Sequence, residues 1–333
     1  MKHIVALVFA IATVLNTAHA LTKVNGAGAS FPYPIYSKWF SEYEKSHQDI
    51  QFNYQAIGSG GGIRQLVKKS VDFGATDAPM HSKDKKRASW PIKHIPSVIG
   101  ALTISFNLKG IDQLNLDGET IAKIFLNRIT KWNDPAIKNL NPDLSLPNES
   151  IEVIRRKDHS GSTYILSDFL NAASSTWRKK MRVDKSLTWN SDATEVQGNS
   201  GMTKALKNTP NSIGYVELGY ALKNDLKTAR IKNREGQFVM PTIQTITAAA
   251  ENKKKLTEAE VTRSIVFAPG KIAYPISAFT YFILPQKKKD DTRLKEFKKF
   301  LAWALSEGQL MAPQLHYAPL PKTLRQELIK TLR

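Results

Sequence analysis

Three short Gly/Ser-rich turns stand in this chain, GAGASFP at 26–32, GSGGG at 58–62 and HSGST at 159–163. Each follows a segment with strand character and directly precedes one whose apolar residues recur at helical spacing. A helix start exposes backbone N–H groups that lack an intrahelical acceptor, together with the positive end of a dipole. Small residues let an oxyanion reach that backbone, and serine hydroxyls add donors. With Arg156 beside the third turn, the pattern points to a pocket for a tetrahedral oxyanion in an α/β fold.

The 333 residues suffice for two domains with cores of their own. The first 20 residues read as an export signal: MKH, then the apolar run IVALVFAIATVL, then Ala18-His19-Ala20 as a small-x-small cleavage site after Ala20. That run is too short for an ordinary membrane span of about 20 residues. There is no cysteine, so disulfides, thiolate metal sites and lipid-modified cysteines are excluded. The formal charge is +19. The basic residues lie in short scattered runs such as Lys83–Arg87 and Lys253–Lys255, without the aromatic-interleaved stripe used for single strands. They read as a solvated surface that attracts anions, with no nucleic-acid partner.

The strand–turn–helix units continue along the chain. Tyr36, Trp39, Phe40 and Tyr43 mark the first helix, with Ser30 expected as its N-cap and Pro32 in its first turn. IQFNYQAI (50–57) runs into GSGGG, and VDFGATDAP (71–79) forms a strand ending at Asp77. ALTISFNL (101–108), IEVIRR (151–156), SIGYVELGYA (212–221) and AFTYFIL (278–284) supply further strands. Asp117 caps a helix at DGETIAKIF, and the stripe from Leu294 to Leu305 marks a late helix closed by Gly308. Open α/β sheets bind ligands at the carboxyl ends of their strands, where Asp77 and the Gly/Ser turns fall.

Enzymatic readings find no frame. GSGGG lacks the G-x-S-x-G elbow, since Ile57 occupies its first position, and it lacks the G-x-x-x-x-G-K-[ST] loop for nucleotides. The seven histidines show no metal-ligand spacing. No cofactor is expected.

The run GAGASFPYPIYSKW, with AIGSGGGIRQL, VDFGATDAPM, LDGETIAKIFLNRITKWNDPAIKNLNP, VIRRKDHSGSTYILSDFL and the C-terminal LHYAPLP, resembles the periplasmic phosphate-binding proteins of bacterial high-affinity phosphate ABC transporters. The likeness covers nearly the whole chain after the signal. It implies a type II periplasmic binding fold. One lobe comprises residues 21–100 and 275–333, the other residues 101–274. Hinges fall at Ile99–Leu102 and Tyr274–Ser277. It also implies a monomer that carries inorganic phosphate to membrane permease subunits. The positions implied to bind phosphate are Ser30, the Phe31 backbone, Ser59, Asp77, Arg156, Ser160, Gly161 and Ser162, with Asp158 holding Arg156 in place. Ser30 and Ser162 stand where threonine is common in the family, Gly60 where a second serine can occur, and His159 where glycine is frequent. These residue types suit oxyanion capture, because hydroxyls and the planar arginine donate to oxyanion oxygens. Asp77, expected to be ionised at neutral pH, accepts from the O–H of hydrogen phosphate and repels sulfate, which has no proton to give.

Overall fold

The computed structural model describes residues 21–189, 193–251, 258–286 and 291–332; the expected export signal lies outside them. Twelve strands occur among the described residues: β1 (Thr22–Gly28), β2 (Ile50–Gln55), β3 (Phe73–Thr76), β4 (Ile92–Asn107), β5 (Asn115–Leu116), β6 (Glu152–Arg156), β7 (Thr194–Val196), β8 (Ser212–Glu217), β9 (Lys227–Thr228), β10 (Arg230–Lys232), β11 (Phe238–Val239) and β12 (Ser277–Pro285). A nine-stranded sheet runs β2-β1-β3-β12-β4-β8-β6-β7, with β9 joining β4 off this path; β11-β10-β5 form a smaller sheet.

Strand β4 organises the molecule. Its first part, Ile92–Ala101, pairs antiparallel with β12, whereas Leu102–Asn107 pairs with β8. The sequence pattern marks only 101–108 as a strand, because Pro96 and Gly100 interrupt the β-like pattern before it. The preceding residues are strand nonetheless, nearly all buried between neighbours, so packing overrides local propensity here.

Helix Tyr33–Ser46 buries Tyr36, Trp39, Phe40 and Tyr43, the stripe its spacing predicts. Tyr36 stacks on Phe282 of β12 at 4.0 Å between ring centroids. Phe73 of β3 stacks at the same distance on Phe297 of helix Thr292–Ala304. A large buried aromatic pair contributes about 0.5–1.5 kcal/mol beyond its area, so this cluster fixes one half of the molecule. The other half packs Phe125, Trp132, Phe169, Trp177 and Tyr215, all buried. The late helix ends at Ala304, before the expected Gly308. Gly308 instead accepts the Trp39 indole N–H at 2.7 Å, and a Cβ there would lie 3.0 Å from that nitrogen.

Candidate functional site

The parallel strands β1, β2 and β3 lie side by side, so their carboxyl ends bring three segments together. Ser30 and Phe31 follow β1, Ser59 opens helix Ser59–Val67 after β2, and Asp77 follows β3. The Gly58 N–H donates to the Gly28 carbonyl at 2.8 Å, and the Ala29 N–H to the Ala75 carbonyl at 3.0 Å, which ties the turns together. Ser59 Oγ accepts from the Asp77 N–H at 3.1 Å and donates to Asp77 Oδ2 at 3.3 Å. Thr280 Oγ1, from β12, donates to Asp77 Oδ1 at 2.7 Å.

Burial pushes the Asp77 carboxyl up to about 7, against the hydrogen bonds from Thr280 and Ser59 and the Arg156 charge, which draw it down. Desolvation, which a sequence cannot display, works against the ionised form expected at neutral pH.

The facing wall is built after β6. Arg156 ends the strand, and its Nε and Nη2 donate to Asp158 Oδ1 and Oδ2 at 2.6 and 2.5 Å. Its Nη1 lies 3.4 Å from Ser162 Oγ. Most of the arginine fork is thus held by Asp158, which also accepts from the Gly198 N–H at 3.2 Å. Ser160 is the N-cap of helix Gly161–Ala173 and accepts from the Thr163 N–H at 3.2 Å, leaving its own proton to donate. Gly161 and Ser162 occupy the first turn, where backbone N–H groups have no intrahelical acceptor. Gly58 meets this wall at φ +89°, and a Cβ there would lie 2.4 Å from Asp158 Oδ2; glycine is required on both counts.

The two walls touch. A Cβ on Gly161 would stand 2.3 Å from both Asp77 Oδ2 and Ser59 Oγ. The Gly60 N–H donates to the His159 carbonyl at 2.9 Å. His159 itself is exposed, so it sits at the rim through its backbone. Ser30, Ser59, Asp77, Arg156, Ser160 and Ser162 are all buried, brought together from segments spread between residues 30 and 162. Phe31 is buried beside them, its carbonyl accepting from the Tyr317 hydroxyl at 2.7 Å.

Ser30 is not the N-cap that its place before the first helix predicts. Pro32 takes that position without a side-chain cap. Ser30 Oγ instead accepts from the backbone N–H and the Nδ2 of Asn199, each at 3.1 Å. The Tyr220 hydroxyl donates to the Ser30 carbonyl at 2.9 Å. Both acceptor positions of the hydroxyl are filled from across the boundary, so its hydrogen is left to donate into the site. Sequence reasoning missed Asn199, Tyr220 and Thr280. No motif surrounds Asn199 or Thr280, and their partners are 169 and 203 residues away. Asn199 lies in the first turn of helix Gly198–Asn208.

One wall therefore offers a positive charge with hydroxyl and amide donors. The other offers donors around a single buried acceptor. That set can enclose an oxyanion that itself carries a proton. Among the described residues no cluster of metal-ligating side chains occurs, and no helix is long and apolar enough to cross a membrane.

Paired α/β halves that share a long strand and gather helix starts at their boundary define the type II periplasmic binding protein fold. The profile of the PBP superfamily domain matches residues 15–307. The chain is 38% identical over 331 residues to the phosphate-binding protein PstS of Pasteurella multocida, covering 98% of this chain and 94% of that relative. It is 40% identical over 301 residues to PstS of Haemophilus influenzae, covering 90% and 89%. The chain belongs to the PstS family of phosphate-binding proteins. Solved structures share the fold. PfluDING, a high-affinity periplasmic phosphate-binding protein solved with phosphate bound, aligns with a TM-score of 0.75 at 21% identity over 92% of this chain and 93% of that one. A phosphate-binding protein from Stenotrophomonas maltophilia aligns at 0.74 with 20% identity, over 93% of each chain.

Proposed function

We propose that this protein is an exported solute-binding protein, cleaved after Ala20, that captures inorganic phosphate between two lobes and delivers it to the permease subunits of an ABC transporter. One observation carries the reading: buried Arg156 and buried Asp77 stand on opposite walls, near enough for the Arg156 charge to act on the Asp77 carboxyl, and Gly161, between Ser160 and Ser162, abuts Asp77 and Ser59. Arginine and the hydroxyls donate to phosphate oxygens, and Asp77 accepts the proton of hydrogen phosphate. The Phe31, Gly161 and Ser162 N–H groups add donors at or beside helix starts. The protein binds and carries; it does not catalyse.

In this reading, residues 21–100 and 275–333 form one lobe and 101–274 the other. The change of partner along β4 at Ala101/Leu102 supports a hinge at Ile99–Leu102, and the start of β12 at Ser277 supports a second at Tyr274–Ser277. Hinge closure is the motion by which periplasmic binding proteins enclose their ligands. The bonds from Asn199 and Tyr220 to Ser30 then belong to the closed form.

Calorimetric titration of the phosphate-stripped monomer with phosphate, arsenate and sulfate tests the reading. Phosphate and hydrogen arsenate are expected to bind and sulfate to bind weakly, and small-angle scattering is expected to show compaction with phosphate. Asp77→Asn removes the repulsion, and its amide turns a donor to a bare oxygen, so the phosphate-to-sulfate affinity ratio falls. A protein that takes up none of these anions overturns the proposal.

A further inference from the structure

Thr280 stands at an irregularity of the central sheet. Between β12 and β4, Thr280 is opposite Val98 but Tyr281 is opposite Pro96, so Ser97 is passed over and the register shifts. Pro96 has no N–H for the ladder, and prolines inside sheets are confined to edges and bulges. A bulge re-aims the side chains beside it. Here Ser97 Oγ donates to the Thr280 carbonyl at 3.1 Å and is bonded to the Tyr36 hydroxyl at 2.8 Å. The fully buried Thr280 hydroxyl has one hydrogen, and it goes to Asp77 Oδ1 at 2.7 Å. The other carboxylate oxygen, Oδ2, accepts from Ser59 Oγ of its own wall at 3.3 Å and faces Gly161 of the opposite wall.

We propose that Thr280 is a specificity-determining positioning residue: by donating to one oxygen of Asp77 it keeps the carboxylate charged and leaves the other oxygen as the acceptor that the bound oxyanion meets. The proposal rests on the phosphate reading above and assigns the device that lets such a site tell a protonated tetrahedral oxyanion from a fully deprotonated one. A donor to the charged form of an acid favours that form. Burial opposes it in Asp77, and the Thr280 bond is the foremost influence in its favour, ahead of Arg156 and Ser59. The charged groups facing Asp77 are Arg156, which favours the carboxylate, and Asp158 and Glu217, which oppose it. The phenols of Tyr36, Tyr54, Tyr281 and Tyr317 face it as well and stay protonated, their burial raising each above its ordinary value.

Without the Thr280 hydroxyl, Asp77 turns to its neutral form near pH 7. A neutral carboxyl has an O–H to donate and so welcomes a bare sulfate oxygen. Thr280→Val keeps the branched shape and removes the hydroxyl; Thr280→Ser keeps the donor. Phosphate and sulfate affinities, the latter by competition against phosphate, are measured by calorimetry from about pH 6 to about pH 9, a span that brackets the titration of Asp77. In Thr280→Val the phosphate-to-sulfate ratio near neutrality falls by roughly tenfold, and it returns toward the wild-type value as pH rises. Thr280→Ser retains the wild-type ratio and profile. A role in packing alone weakens both anions together and leaves ratio and profile unchanged; that result overturns the assignment. If the valine variant does not accumulate as folded protein, Thr280→Ala is read by the same criterion. Absence of phosphate binding in the wild type sinks the phosphate reading itself, whereas an unchanged ratio in a variant that still binds phosphate sinks only the role of Thr280.

Discussion

The two walls of the site carry charge in opposite ways. Arg156 is matched by Asp158 through paired short bonds, and both side chains are shielded from solvent, so this wall holds a compensated charge in fixed geometry. Among the described residues no cation is bonded to Asp77; neutral hydroxyls of Ser59 and Thr280 hold it, and burial pushes its carboxyl up to about 7. The difference teaches a division of labour. In the phosphate reading, the donor wall supplies attraction through fixed donors. In the same reading, the acceptor wall supplies discrimination, because its own protonation decides which oxygen it tolerates.

Breaking the donor wall has the largest expected effect. Arg156→Ala weakens phosphate binding by roughly 1.5–3 kcal/mol, the range for hydrogen bonds to charged groups. It also strands Asp158, since removing one partner of a buried pair destabilises strongly. Arg156→Ala with Asp158→Ala restores stability in urea unfolding without restoring affinity. If the double variant binds phosphate like the wild type, the wall is only structural.

Pushing the walls apart comes next. Gly161→Ala sets a methyl 2.3 Å from Asp77 Oδ2 and Ser59 Oγ. Overpacking of this kind costs about 1–3 kcal/mol, charged here to closure, so calorimetry reads a loss of phosphate affinity and scattering reads less compaction. An alanine variant that closes fully contradicts the contact.

Loosening the bridge between the walls is milder. Asn199→Ala removes the side-chain bond to Ser30 Oγ but leaves the backbone one, so phosphate affinity falls by about 1 kcal/mol, expressed as faster release. Unchanged release in stopped-flow measurements counts against Asn199 as a cross-wall tie.

The last effect is on stability against pH, away from ligand affinity. Asp77 rises from 3.8 to about 7 and Glu217, buried at the start of helix Leu218–Lys223, from 4.5 to about 8, both through desolvation. Both folded values lie above the unfolded ones, so the folded state binds more protons. Stability contributed by these groups is complete below about pH 4 and is lost as pH rises to about 8. Asp77→Asn and Glu217→Gln therefore gain Tm over the wild type progressively as pH rises from about 4, with the full gain reached by about pH 8, by thermal unfolding across pH. A gain independent of pH argues that neither carboxyl is desolvated.

Much of the site was legible because it is built from local units. Ser59, Ser160, Gly161 and Ser162 announce themselves by strand–turn–helix context, and a strand end gives Asp77. Two departures from the family pattern were legible singly but not as a pair. Gly60, where a serine can occur, and His159, where glycine is frequent, meet across the boundary: a Cβ on residue 60 would lie 2.4 Å from the His159 Cβ. The N-cap role expected of Ser30 failed for a related reason. A capping serine and a serine held by a distant asparagine look alike until the chain is folded.

The sequence by itself determined the α/β class, the three helix starts, Arg156 at the strand end before the third turn and the absence of thiol chemistry, since these depend on periodicity, turn chemistry and residue type within short spans. Only the tertiary structure decided that β4 serves both halves, that Asn199 and Tyr220 grip Ser30, that the Ser97 bulge aims Thr280 at Asp77, and that Asp77 titrates near neutrality. Each of these depends on which surfaces exclude water from one another, and desolvation and long-range pairing are properties of the packed chain, not of any segment read alone.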